Sequence, residues 1–102
     1  MSLCINLVFI ETEKSPSERR VFTEALAKMG ECRQLFEYSW ILLSSSSDQE
    51  IMKNLKECFG KFDNAIIIIS DFKQIECFGC DKVCQEIIQE FIHKRNRLNE
   101  SL

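Results

Sequence analysis

The alternation of apolar and polar positions divides the chain into short stretches of two periods, and the most sharply drawn is Asn64 to Ser70, with four consecutive isoleucines. Isoleucine is stiff at its first side-chain torsion and suits a pleated surface. Side chains alternate across a strand, so Ile66 and Ile68 point one way and Ile67 and Ile69 the other, which predicts a strand dry on both faces. Leu3 to Ile10 is apolar on both alternations except at Asn6 and predicts a first strand, ending where Glu11-Thr12-Glu13-Lys14 turn polar. Ser15-Pro16-Ser17-Glu18 has the form of a helix start, with a serine cap, proline at the first helical position and glutamate completing a capping box. It predicts a helix over 16–29 that buries Val21, Phe22, Ala25, Leu26 and Met29 and stops at Gly30. Glu31 to Ser44 reads as a short second strand and a longer third one joined by a tight turn. A second capping box, Ser47-Asp48-Gln49-Glu50, opens a helix with Ile51, Leu55, Cys58, Phe59 and Phe62 on its buried face, and Gly60 allows it to end early. After the isoleucine strand a short fifth strand is expected around Gln74 to Phe78. A third helix over about 80–98 then carries Val83, Cys84, Ile87, Ile88, Phe91 and Ile92 on one face.

Strand, helix, strand, strand, helix, strand is the order of a ferredoxin-like βαββαβ sandwich, an α+β fold, here with an additional C-terminal helix. The whole chain, 1–102, reads as one domain with its core over about 3–79. Two helices packed on one face of a four-stranded sheet leave the other face bare, and an exposed apolar surface of that size marks an interface. A homodimer packed sheet to sheet or edge to edge is the simplest expectation, with the third helix as the competing cover.

Composition narrows the function. A chain of 102 residues with 45% apolar content fills a single core. Thirteen basic against sixteen acidic residues give a net charge of −3, which argues against a surface built to coat nucleic acid or an anionic membrane, though not against a local basic patch. The start Met1-Ser2-Leu3-Cys4 lacks the features of a secretory signal, and no apolar run approaches the roughly 20 residues of a spanning helix, so a cytoplasmic protein without a membrane partner is expected. Six cysteines in such a chain fit a reducing compartment.

Candidate chemistry is sparse. Cys77, Cys80 and Cys84 form a C-x2-C-x3-C cluster. If the third helix starts near Cys80, the three thiolates converge on zinc or an iron–sulfur cluster, with Cys32, Cys58 or His93 able to serve as a fourth ligand only by folding nearby. A redox pair at the helix start is a further reading, and against both stands Cys84 as plain core. Two basic groups, Lys14 with Arg19 and Arg20, and Lys94 with Arg95 and Arg97, are candidate phosphate contacts that a dimer would double, set against the commoner role of a solvated face. Trp40 beside Tyr38 suggests base stacking, but aromatics inside an alternating strand are usually core. His93 is the single histidine, and no glycine-rich phosphate loop is present.

Glu37-Tyr38-Ser39-Trp40-Ile41-Leu42, the serine-rich turn after it, the capped second helix, Asp63-Asn64 and the isoleucine strand together resemble the small CRISPR-associated Cas-two proteins and their SinR-like relatives. The resemblance spans roughly Leu3 to Gly79 and rests on pattern. It implies a ferredoxin-like homodimer that is a metal-dependent nuclease in some members and a nucleic-acid scaffold without cleavage in others. The nuclease members are implied to hold a divalent metal on an aspartate at the end of the first strand, where this chain has Phe9-Ile10-Glu11-Thr12. Glu11 is then the candidate catalytic carboxylate, with a longer side chain that would displace the metal, and the departure favours an assembly or nucleic-acid-associated module over an enzyme. A metal-binding or redox protein using the cysteines, and a ligand-sensing or partner-binding domain, are the expectations of other classes.

Overall fold

The computed structural model describes residues 2–61, 63–72 and 82–100. The elements run β1 (Cys4–Thr12), α1 (Arg20–Ala27), β2 (Glu31–Phe36), β3 (Ser39–Ser44), α2 (Asp48–Lys56), β4 (Ala65–Phe72) and α3 (Lys82–Glu100). The strands form one antiparallel sheet in the order β2-β3-β1-β4. The molecule is thus α+β, with a four-stranded antiparallel sheet and three helices, an arrangement compatible with a ferredoxin-like fold. The fifth strand expected around Gln74 to Phe78, and Phe62, lie outside the described residues.

The alternation along β1 sorts its side chains between two cores. Val8 and Ile10 join Phe22 and Leu26 of α1, Trp40 and Leu42 of β3, and Ile51 and Leu55 of α2. Ile5 and Leu7 point to the opposite face and meet Ile41 and Leu43 of β3 with Cys84, Ile88 and Phe91 of α3. Burying each large apolar side chain in these layers contributes about 1.5–3 kcal/mol relative to exposure. The third helix is therefore a cover for the second sheet face. Lys94 pairs with Glu31, while Asn99 accepts from Leu3 N–H at 2.9 Å and donates to Leu3 C=O at 3.0 Å. Both tethers lie at the sheet end where β1 begins.

Three expectations need correction. The first helix is shorter than 16–29. The Ser15 and Glu18 box does form, with Glu18 N–H donating to Ser15 Oγ and Ser15 N–H to Glu18 Oε1. It caps only a turn, because Val21 and Phe22 make tight i−3 bonds and regular helix begins at Arg20. Gly30 does not simply end that helix. A Cβ there would lie 2.1 Å from the Leu43 carbonyl oxygen, so glycine is required for the close backbone approach to β3. The isoleucine strand is not dry on both faces: β4 is an edge strand, with Ile67 and Ile69 packed against the α1/α2 core and Ile66 and Ile68 exposed on the other side.

The second capping box forms in full at Ser47 and Glu50 and starts α2 where expected. That helix ends at Lys56, and Cys58 and Phe59 reach the core from the turns beyond it. Among the described residues no helix is long and apolar enough to cross a membrane.

Candidate functional site

The sheet's second face has a covered half and an open half. The strand registers place Phe36 of β2 opposite Ser39 of β3, Ser39 opposite Phe9 of β1, and Phe9 opposite Ile68 of β4, one row across all four strands. In the next row Glu11 lies opposite Ile66. Phe9, Phe36, Ile68 and Ile66 are 40%, 57%, 51% and 60% exposed. They occupy the end of the sheet remote from the Leu3–Asn99 tether, outside the cluster that α3 buries. Beneath them Ser39 is buried, and its Oγ has no hydrogen-bond partner among the described residues. An apolar row of this kind, spanning a sheet and ending at an edge strand, is a surface that another molecule can cover.

The polar rim of this open end is built by the loops. Glu11 and Glu13 line a shallow cavity of about 350 Å³ with Thr12, Tyr38, Asn64, Ala65 and Ile66. Glu11 sits inside β1, because the strand runs two residues past Ile10. Among the described residues no group of three or more His, Cys, Asp or Glu side chains is arranged to hold a metal ion.

The candidate basic residues divide between opposite ends of the sheet. Lys14 pairs with Asp63 at 3.2 Å, and the Asp63 carboxyl is held below the usual carboxylate range by the Gly60 N–H at 2.6 Å and then by this lysine. Arg19 is almost entirely buried, its Nη2 donating to Glu37 Oε1 at 3.1 Å and its guanidinium lying 4.7 Å from the Tyr38 ring centroid. It clamps the α1 entry to the β2–β3 turn. Arg20 is exposed. On α3, Lys94 pairs with Glu31, Arg95 Nε donates to Asn96 Oδ1 at 3.1 Å, and Arg97 is exposed.

Trp40 is core. Its indole N–H donates to Thr23 Oγ1 at 2.8 Å, and its ring meets Phe22 edge-on at 5.8 Å. Of the cysteine cluster, Cys84 is buried against Ile5, Leu7 and Ile88, while Cys77 and Cys80 lie outside the described residues. Burial pushes the thiols of Cys32 and Cys58 above their ordinary range, and each Sγ donates to a backbone carbonyl, of Thr23 and Asn54 respectively.

Sequence patterning does not single out the open row, because Phe9 and Phe36 look like ordinary core positions and the isoleucines look central. The signal that finds it is the strand order: in the order β2-β3-β1-β4 the most apolar strand becomes an edge. No protein-family model, curated protein or solved structure matches this chain.

Proposed function

We propose that this protein is a non-catalytic assembly module, built on a ferredoxin-like fold of the Cas-two-like kind, whose working surface is the open end of the second sheet face. The single observation that carries this reading is the row Phe36, Phe9 and Ile68, continued by Ile66, left exposed at an edge strand. Exposing four large apolar side chains together in an aqueous protein sacrifices several kcal/mol of burial at ~25 cal/mol per Å², and association recovers it. Self-association into a homodimer is the simplest form of that recovery.

Nucleic-acid contact draws less support from the geometry. Lys14, Arg19 and Lys94 each have an acidic partner, and the two basic groups lie at opposite ends of the sheet. The cytoplasm remains the compartment proposed, in keeping with the free thiols of the four described cysteines, Cys4, Cys32, Cys58 and Cys84.

Light scattering after size exclusion, from about 5 to 200 µM, tests the reading. A dimer is expected across the upper part of that range. A chain monomeric throughout, with saturable binding of a short oligonucleotide at ~150 mM salt, would replace assembly by nucleic-acid association.

A further inference from the structure

The two sheet edges are unlike. At one edge β2 carries Glu31 and Arg33 and is broken by a bulge between Gln34 and Phe36, devices that protect an edge from pairing. At the other, β4 runs unbroken for eight residues and has no charged side chain between Ala65 and Ser70. Among the described residues no strand lies along its outer side. A long, unbroken, apolar edge is a template for another strand.

We infer that a second copy of this chain adds to the sheet through β4, antiparallel and with Ile67 facing Ile67 across a two-fold axis, an inference that rests on the assembly reading above. The sequence of β4 is complementary to itself in this register. Ile66 of each copy stands opposite Ile68 of the other, Ala65 opposite Ile69, and every pair within the strand's apolar stretch is apolar on both faces. A slip of two residues sets Ile66 against Ser70 in one direction or Ile68 against Asn64 in the other, and a slip of one turns the side chains to the wrong face.

The chosen register brings one pair of acids together, Asp63 opposite Asp71. Asp63 precedes the strand, and its carboxylate is turned onto the Gly60 N–H and Lys14, which leaves that lysine's charge beside the approaching aspartate. On the second face the row Phe36, Ser39, Phe9 and Ile68 of one copy ends against Ile66 of the other, beyond which lies that copy's Glu11, so the two open ends meet in a central block of four isoleucines. The outer backbone groups of both β4 strands, which have no strand neighbour among the described residues, find partners in the same step.

The test uses the full chain and charges placed at the two exposed isoleucines. In an I66E/I68E variant like charges oppose each other at both symmetric pairs, and the scattering mass at 100 µM should fall about twofold, to that of the monomer. In an I66K/I68E variant the same positions carry opposite charges, and the dimer mass should return. If the wild-type dimer persists in I66E/I68E, association uses another surface: the assembly reading stands and the β4 pairing falls. If I66E/I68E dissociates but I66K/I68E stays monomeric, β4 lies in the interface in a different register, and the pairing about Ile67 is overturned. A wild-type chain monomeric at this concentration overturns both the pairing and the assembly reading. As a second readout, an I67C variant should give a disulfide dimer on mild oxidation whose linked peptide joins residue 67 to residue 67. Oxidised dimer without that peptide counts against the two-fold.

Discussion

Single residues decide this structure where backbone and side chain leave no slack. Gly30 is the clearest case: an alanine methyl would stand 2.1 Å from the Leu43 carbonyl, so β2 or the end of α1 must move to admit it. Gly60, by contrast, would bring a Cβ no closer than 3.4 Å to Asp63 Oδ2, an ordinary contact. Gly30→Ala is therefore expected to destabilise the fold by about 1–3 kcal/mol or more, and Gly60→Ala by less than about 0.5 kcal/mol. Urea unfolding followed through the single tryptophan measures both; equal midpoints for the two variants would contradict the close approach. Trp40 is a suitable reporter because it lies fully buried at the junction of α1 and β3, hydrogen-bonded to Thr23. The same precision explains the half-buried thiols. Cys32 and Cys58 fill space, donate to carbonyls and are pushed up by burial, which makes them poor nucleophiles near neutrality.

At the scale of elements, what holds a segment in place is often the loop that feeds it. The turn before β4 is fastened by Asp63, which accepts from Gly60 N–H and pairs with Lys14 just beyond β1, so it joins two strand ends. Glu18 does similar work before α1 through the backbone and hydroxyl of Ser15. Both carboxyls are held below their ordinary range, which means their folded pKa lies under the unfolded one. The stability they contribute is then fully present above the unfolded carboxyl pKa, about 4, and is lost as pH falls through the lower folded values. The denaturation midpoint should stay level from pH 7 to about pH 5 and fall below about pH 4. Asp63→Asn combined with Glu18→Gln should lower the plateau slightly and flatten the acid limb, and an unchanged acid limb in that double variant would show the two carboxyls play no part.

The order of the described elements and the two capping boxes were legible in the sequence because both rest on local chemistry: serine and glutamate at fixed spacing, and alternating apolar runs between polar breaks. The length of α1 was not, since the same Ser15 box that signals a helix can close around a single turn when the next bonds are tight. Nor was the exposure of Ile66 and Ile68. Periodicity reports which faces a strand can bury, whereas the strand order decides which faces meet a neighbour, and that order comes from pairings of Cys4 to Thr12 with segments distant in the chain. The candidate basic residues were visible as residue types only. That Arg19 is buried on Glu37 and Tyr38 depends on the β2–β3 turn folding back to the start of α1.

Across the whole molecule, the sheet is a partition between two cores of unequal build. The α1/α2 layer is closed by two helices and Trp40; among the described residues the other is closed by α3, through Cys84, Ile88 and Phe91. A single helix across a four-stranded sheet covers part of one face, which is why an apolar row remains open beyond it. The end of α3 is fixed by the paired hydrogen bonds of Asn99 with Leu3, an amide side chain standing in for a strand neighbour, and by Lys94 on Glu31. Asn99→Ala leaves the Leu3 N–H and C=O without these partners at a half-buried position and so should free the last turn of α3 first. Amide exchange of Leu3 and of residues near 96–100 should quicken severalfold, while exchange in β1, β3 and α1 stays unchanged and the tryptophan-monitored midpoint moves by less than about 1 kcal/mol. A loss of several kcal/mol at Trp40 would mean that the two cores unfold as one unit and that α3 supports the far layer through the sheet. The local outcome would make α3 a cover fastened at its end beside Leu3 and Glu31.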